Sequence, residues 1–275
     1  GGSGAGNIIL NITGSLLATD GDLNITAEDQ GGGNLTLNAF EILPTLNLSF
    51  SGPAGSGGSV SVTTTGPSDV VFSNIDVSGS SDSGDIDLII GGGFTINNNI
   101  NMFSAISNSS FTATADGTVT VQNIDTGADG NAGDISITTT GDVTTGDLIA
   151  DGVGTGGNIT INTEGDISSA DIRAEILFGG GTGGSIDLTA SSGSISFNTI
   201  SVDSPPGDGG LVSLKAGGEV VGLGTFTNLN GNNASISSVG SSASGTVYIE
   251  HNIGNPQDFE IGQGSTANGL FSNLA

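Results

Sequence analysis

The sequence predicts an all-β chain wound as a right-handed parallel β-helix, a β-solenoid of about ten to eleven coils of roughly 23–27 residues with three short strands in each. Three observations carry this. A self-similar unit recurs with a period in the twenties. Each unit opens on strict apolar/polar alternation. Gly fills 50 of 275 positions while no capped run of 3.6-residue period appears, which argues against helix.

The period is clearest in GDISITTTGDVTTGDLIADGVGTG (133–156) and GNITINTEGDISSADIRAEILFGGGTG (157–183). Equivalent units start at Gly6, Gly33, Gly58, Gly84, Ser109, Gly133, Gly157, Gly184, Gly210, Ala234 and Gln257. Their third position is apolar throughout, from Ile8, Leu35 and Val60 to Ile236 and Phe259. The fifth misses once, at Ser238, and the fourth is polar except at Ile9. Alternation of this kind places the third and fifth side chains on one face of a half-buried strand. Two further apolar runs follow in each unit, such as Val143 and then Leu148 with Ile149. Strands this short are not stable alone, but equivalents from successive coils can pair in parallel at about 4.8 Å and share a core. An antiparallel sandwich would not need the same residue class every 25 or so positions. Right-handed winding is expected because parallel crossovers favour it.

The glycines read as turn residues that reach positive φ at little steric cost. Loops such as SGPAGSGG (51–58), GVGTGG (152–157) and SPPGDGG (204–210) close the coils and absorb the variation in their length. No linker divides the chain, so residues 1–275 read as one elongated domain, a rod roughly 50 Å long at the strand spacing.

Composition excludes several classes of function. Two basic residues, Arg173 and Lys215, stand against 28 acids, for a formal charge of −26. Such a surface repels nucleic acid and anionic lipid. No apolar run approaches the length of a membrane span, and GGSGAG is not a signal peptide. Without cysteine there is no disulfide framework and no thiol chemistry. A start without Met and an end at SNLA suggest a piece of a longer, secreted chain.

The stretches GGNITINTEGDI, GNAGDISITTTGDV and GGSIDLTASSGSI resemble the repeat region of filamentous haemagglutinin-type proteins, over nearly the whole chain. The resemblance implies a large bacterial surface or secreted right-handed β-helix, exported by two-partner secretion. The family's Asn-Pro-Asn-Gly or Asn-Ala-Asn-Gly export motif has no counterpart here. A shaft segment is therefore implied, and an export route is not.

Acidic residues in Gly-rich corners are candidate Ca²⁺ ligands: Asp129, Asp134, Asp142, Asp147 and Asp151, in a wider set with Asp20, Asp22, Asp29, Asp82, Asp85 and Asp125. Asp also belongs in turns because its side chain bonds local backbone N–H groups. Seven Asn-x-Ser/Thr sites, at Asn11, Asn24, Asn34, Asn47, Asn108, Asn158 and Asn233, are glycan acceptors in form, and Asn-Ile-Thr is also how a strand begins. Asn74, Asn98, Asn123 and Asn198 recur at similar offsets and fit a stacked amide ladder. His251, the one imidazole, reads as a surface residue near the last coil.

Stacking alone could bring carboxylate pairs together as glycoside hydrolysis requires, but Arg173 and Lys215 fall on different faces, and the glycine loops lack the Gly-Lys-Ser/Thr ending of a phosphate loop. The expected function is a non-catalytic, extracellular rod or shaft of an adhesin or fibre at a bacterial surface, extended by flanking coils or by head-to-tail self-association. The alternatives are a carbohydrate-binding adhesive module meeting cell-surface glycans, and a polysaccharide-degrading β-helix enzyme. An ice-binding face would need unbroken Thr columns, which Ile9, Ile89 and Leu211 interrupt.

Overall fold

The alternating run at the head of each unit forms a short strand, and ten of these stack into one ladder. The computed structural model describes residues 5–251 apart from 18–21, 29, 103, 107, 108, 179 and 206. The described elements are all β, arranged as a parallel β-solenoid. The ladder runs from Ile8–Asn11 through Leu35–Ala39, Val60–Thr64, Ile86–Ile90, Phe111–Ala115, Ile135–Thr139, Asn158–Thr163, Ser185–Ala190 and Leu211–Ala216 to Thr246–His251. Each strand pairs in parallel with its equivalent one coil on, so third-position residues lie over one another: Ile8, Leu35, Val60, Ile86, Phe111, Ile135, Ile159, Ile186, Val212 and Val247. Nine rises at the strand spacing give this ladder a length of roughly 43 Å.

Most second and third strands of the coils join in one sheet of thirteen strands, while Ser15–Leu16 and Glu41–Ile42 pair in parallel as a sheet of their own. Some coils keep the second and third strands apart, as in Val143–Thr145 and Leu148–Ile149. In three coils they merge, as Val70–Asp76, Ile167–Arg173 and Ile195–Ser201. Gly146 separates the first pair, and Ala170 occupies the matching place in Ile167–Arg173. The closing loops stack as well, through isolated parallel bridges such as Ser104 to Ala128, Ala128 to Gly152 and Gly152 to Ile176.

The expected start at Ala234 is displaced. After Val220–Gly222 the chain leaves the coil, and Phe226–Thr227 pairs antiparallel with Asn233–Ala234 around Gly231, whose φ is +77°. On its return Ile236–Ser237 pairs with Ile200 and Ser201 of the thirteen-stranded sheet. The next strand of the first ladder begins after Gly245, so this coil spans 35 residues from Gly210. Ser-Ile-Ser-Ser alternates much as Thr-Val-Tyr-Ile does, and the fixed pitch selected the wrong one. The start at Gln257, with Phe259 and Ile261, lies outside the described residues.

The core is one continuous cluster from the first coils to the last, with Phe50, Phe72, Phe94, Phe111 and Phe197 fully buried. Phe72 and Phe94 meet edge to face, with centroids 6.4 Å apart at 84°, an arrangement favourable for ring quadrupoles.

The positive-φ reading of the glycines does not hold: among the described residues only Gly231 has that conformation. The repeat-start glycines have a steric reason instead. A methyl group on Gly58, Gly84, Gly157, Gly184, Gly210 or Gly245 would collide with the backbone carbonyl of the equivalent glycine one coil earlier. Coils meet there backbone to backbone. Gly180, by contrast, faces open space. Gly157→Ala is therefore expected to lower the unfolding free energy by about 1–3 kcal/mol, the usual cost of overpacking. Gly180→Ala should stay within about 0.5 kcal/mol of the parent in the same urea titration.

Candidate functional site

Several acids of this chain stand at the corners and share one job there. The residue just before a strand uses its side-chain oxygen to accept the backbone N–H of its equivalent on the next coil. At the first corner Asn34 Oδ1 accepts from Ser59 N at 2.8 Å, Asp85 Oδ1 from Ser110 N at 2.8 Å, and Asp134 Oδ1 from Asn158 N at 2.8 Å. At the second, Asp142 Oδ1 accepts from Asp166 N at 2.9 Å, and Asp166 Oδ1 from Ser194 N at 2.7 Å. At the third, Asn123 Oδ1 accepts from Asp147 N at 2.7 Å, and Asp147 Oδ1 from Asp171 N at 3.2 Å. Ionised acceptors make the stronger hydrogen bonds, which gives Asp a structural reason to recur at these offsets.

The five Ca²⁺ candidates are thus distributed rather than gathered. Asp129 is exposed in a closing loop, and Asp134, Asp142 and Asp147 belong to three different corners. Among the described residues no three His, Cys, Asp or Glu side chains come together to hold a metal ion. Asp20 and Asp29 lie outside the described residues, as does Asn108.

Asp151 belongs to a separate arrangement. It stacks with Glu175 and Asp203 on successive coils: Asp151 Oδ1 accepts Glu175 N at 2.9 Å, and Ile176 N bonds the Asp203 carbonyl at 3.1 Å. Asp151 and Asp203 are buried, and Glu175 is half-buried. Arg173 Nη2 lies 3.1 Å from Asp151 Oδ2, the one ion pair among the described residues. Asp203 Oδ1 accepts Ser237 Oγ at 2.5 Å and Val239 N at 2.7 Å, fastening the long coil after its excursion. Sequence reasoning missed Glu175 and Asp203, although they stand 18 and 19 residues after Gly157 and Gly184 as Asp151 stands 18 after Gly133.

All three carboxyls titrate above their ordinary range, and loss of solvent is the main cause in each. For Asp151 the Arg173 guanidinium and the Glu175 N–H offset part of the effect, while Asp125 adds to it. For Glu175 the Ser201 hydroxyl, which lies beside it just outside hydrogen-bonding geometry, works against burial. The charges of Asp151 and Asp203 reinforce burial there, and Arg173 opposes it weakly. For Asp203 the Ser237 hydroxyl and the N–H groups of Val239 and Leu229 offset burial.

Other sequence expectations resolve in the same frame. The Asn-x-Ser/Thr amides are engaged between coils: Asn38 Nδ2 donates to Asn11 Oδ1 at 2.8 Å, Asn47 Nδ2 to Asn24 Oδ1 at 2.7 Å, and Asn158 Nδ2 to Asp134 Oδ1 at 3.1 Å. The asparagines expected to stack on one another bond neighbouring coils differently, Asn98 through the Ser73 carbonyl and Asn198 through Asp171 Oδ1. His251 is half-buried rather than on the surface. Alternation from Val247 and Ile249 turns it inward in register with Ala216, and its buried Nδ1 has no hydrogen-bond partner among the described residues.

Two predictions follow from the corners and the acid row. Asp142→Ala removes the acceptor for the exposed Asp166 N–H and should cost about 0.5–1.5 kcal/mol. Asp142→Asn keeps an oxygen in place and should recover most of that loss, with or without added Ca²⁺; a Ca²⁺-dependent melting shift abolished by Asn would mark a cation site instead. For the acid row, each folded carboxyl binds its proton more tightly than in the unfolded chain, where the reference values are 3.8 for Asp and 4.5 for Glu. The folded state therefore holds the extra protons between those values and the raised ones. Unfolding free energy falls as pH rises through that window and stays low above it. Glu175→Gln and Asp203→Asn should each flatten this part of the stability profile, measured by urea unfolding from about pH 4 to pH 8.

Comparison of the chain with protein-family models, curated proteins and solved structures finds no match.

Proposed function

We propose that this chain is a structural rod: a non-catalytic, secreted or surface-exposed shaft of a filamentous haemagglutinin-like adhesin or extracellular fibre. The observation that carries the reading is the unbroken register of ten stacked strands over a single core, with side-chain acceptors tying each coil to the next. A scaffold of that kind transmits position along its axis and needs no cleft. Its buried acids already serve the fold, Asp151 through Arg173 and Asp203 through Ser237 and Val239. Its surface charge keeps neighbouring rods apart and favours solubility outside the cell.

In this reading the rod extends by continuation of the coil, either in flanking sequence or through a second copy stacked head to tail. Antibody raised against the chain is expected to label intact cells that produce it, and external protease to remove the label. Labelling confined to lysed cells would overturn the reading. Sedimentation velocity distinguishes the two modes of extension: concentration-dependent growth of the species supports stacking of copies, and a constant elongated monomer supports flanking coils.

A further inference from the structure

The outward face of the first ladder changes chemistry over its last three strands. The three rungs before them present small uncharged groups, with Thr112, Ser136 and Thr160 in one column and Thr114, Thr138 and Asn162 in the next, after Asp87 and Ile89 on the rung below. The last three rungs place Asp187, Ser213 and Tyr248 in the first column and Thr189, Lys215 and Glu250 in the second. Tyr248 is the only tyrosine of the chain and Lys215 its only lysine. The Tyr248 ring is 47% exposed, and its hydroxyl donates to Glu250 Oε2 at 2.8 Å. A recess of about 350 Å³ opens beside this array, bounded by Thr189, Ser191, Lys215, Glu250 and His251. Two buried polar atoms, His251 Nδ1 at the recess and Asp187 Oδ1 outside it, have no hydrogen-bond partner among the described residues. A half-exposed ring, a cation, a carboxylate and hydroxyls thus share one small area of the sheet.

We propose that this patch binds a neutral saccharide, with a sugar ring laid on Tyr248 and its hydroxyls bonded to Lys215 and Glu250. The volume lies at the lower end of the range for small-ligand sites, as suits one or two sugar rings. A neutral polyol both donates and accepts, so it can satisfy the carboxylate and the ammonium at once. Hydrogen bonds to charged groups are the stronger kind. A polyanion would find one lysine against two neighbouring acids and the field of a chain carrying −26. An apolar ligand would leave those charged groups unpaired. An amphipathic aromatic ring supplies a flat apolar surface with a polar edge, which a sugar face matches. The inference does not depend on the shaft reading, since a patch on one end of a ladder functions on a rod or on an isolated module.

The test uses the chain's own reporter. Tyr248 is the one tyrosine and there is no tryptophan, so tyrosine emission reports on this patch alone. The chain is titrated with cellotetraose and chitotetraose as neutral probes, and with tetragalacturonate as the anionic one. A saturable change with a neutral probe is expected. Lys215→Ala and Glu250→Gln, which keep the reporter, should weaken it about tenfold or more, while Thr112→Ala leaves it unchanged. Melting temperatures of all variants should match the parent, because these side chains lie on the outward face. No saturable change with either neutral probe up to about 10 mM, the weak limit of specific recognition, would overturn the proposal. So would a response indifferent to Lys215→Ala and Glu250→Gln, or tighter binding of the uronate. None of these results alters what antibody labelling says about the shaft.

Discussion

The structure depends on register between coils. Every strand of the first ladder finds its partner one circuit later at the same offset, and a slip of one residue would turn every inward side chain outward. That constraint explains why the head of the unit is so uniform while its closing loop is not. Ile135, Ile159 and Ile186 have to coincide, whereas the loop between them needs only to return the chain to the next rung. It explains the glycines too. Stacking at strand spacing brings backbones at the corner so close that no Cβ fits between Gly157, Gly184 and Gly210.

The same constraint reconciles the charge with the fold. Polar residues lie over polar ones at the corners, and in places acids stack on acids, as Asp142 does on Asp166 and Asp147 on Asp171. Repulsion between them is opposed by the N–H that each carboxylate accepts from the coil above. The arrangement is one-directional: side-chain oxygens face one end of the rod and the N–H groups they bind face the other. Where burial deepens, at Asp151, Glu175 and Asp203, a single Arg173 and a few hydroxyl and N–H donors moderate the effect without cancelling it.

Much of this was legible in the sequence because a solenoid writes its core as a period. The apolar third and fifth positions identified the ladder and eight of its later strands without appeal to anything but alternation. The long coil was not legible. Its excursion from Leu223 to Ser235 carries short alternating runs of its own, and Ala234-Ser-Ile-Ser-Ser imitates a unit start as well as Gly245-Thr-Val-Tyr-Ile does. The acid row was written in the sequence as a recurring offset, but Asp, Glu and Asp at that offset look like any other corner acids. Their burial is set by the coils packed around them, which no local pattern encodes. The orientation of His251 was misjudged for a related reason, since it follows from a strand that the expected pitch had placed elsewhere.

The antiparallel excursion between Gly222 and Ser235 shows how forgiving this architecture is at its corners. It departs after Val220–Gly222 and rejoins at Ile236–Ser237, and the rungs on either side keep the phase of the rest of the chain. A corner that already accommodates a hairpin closing at Gly231 is a natural insertion point for a foreign peptide. A cargo grafted between Asn230 and Asn232 would project sideways from the column while the stacked sheets beneath it remained in place.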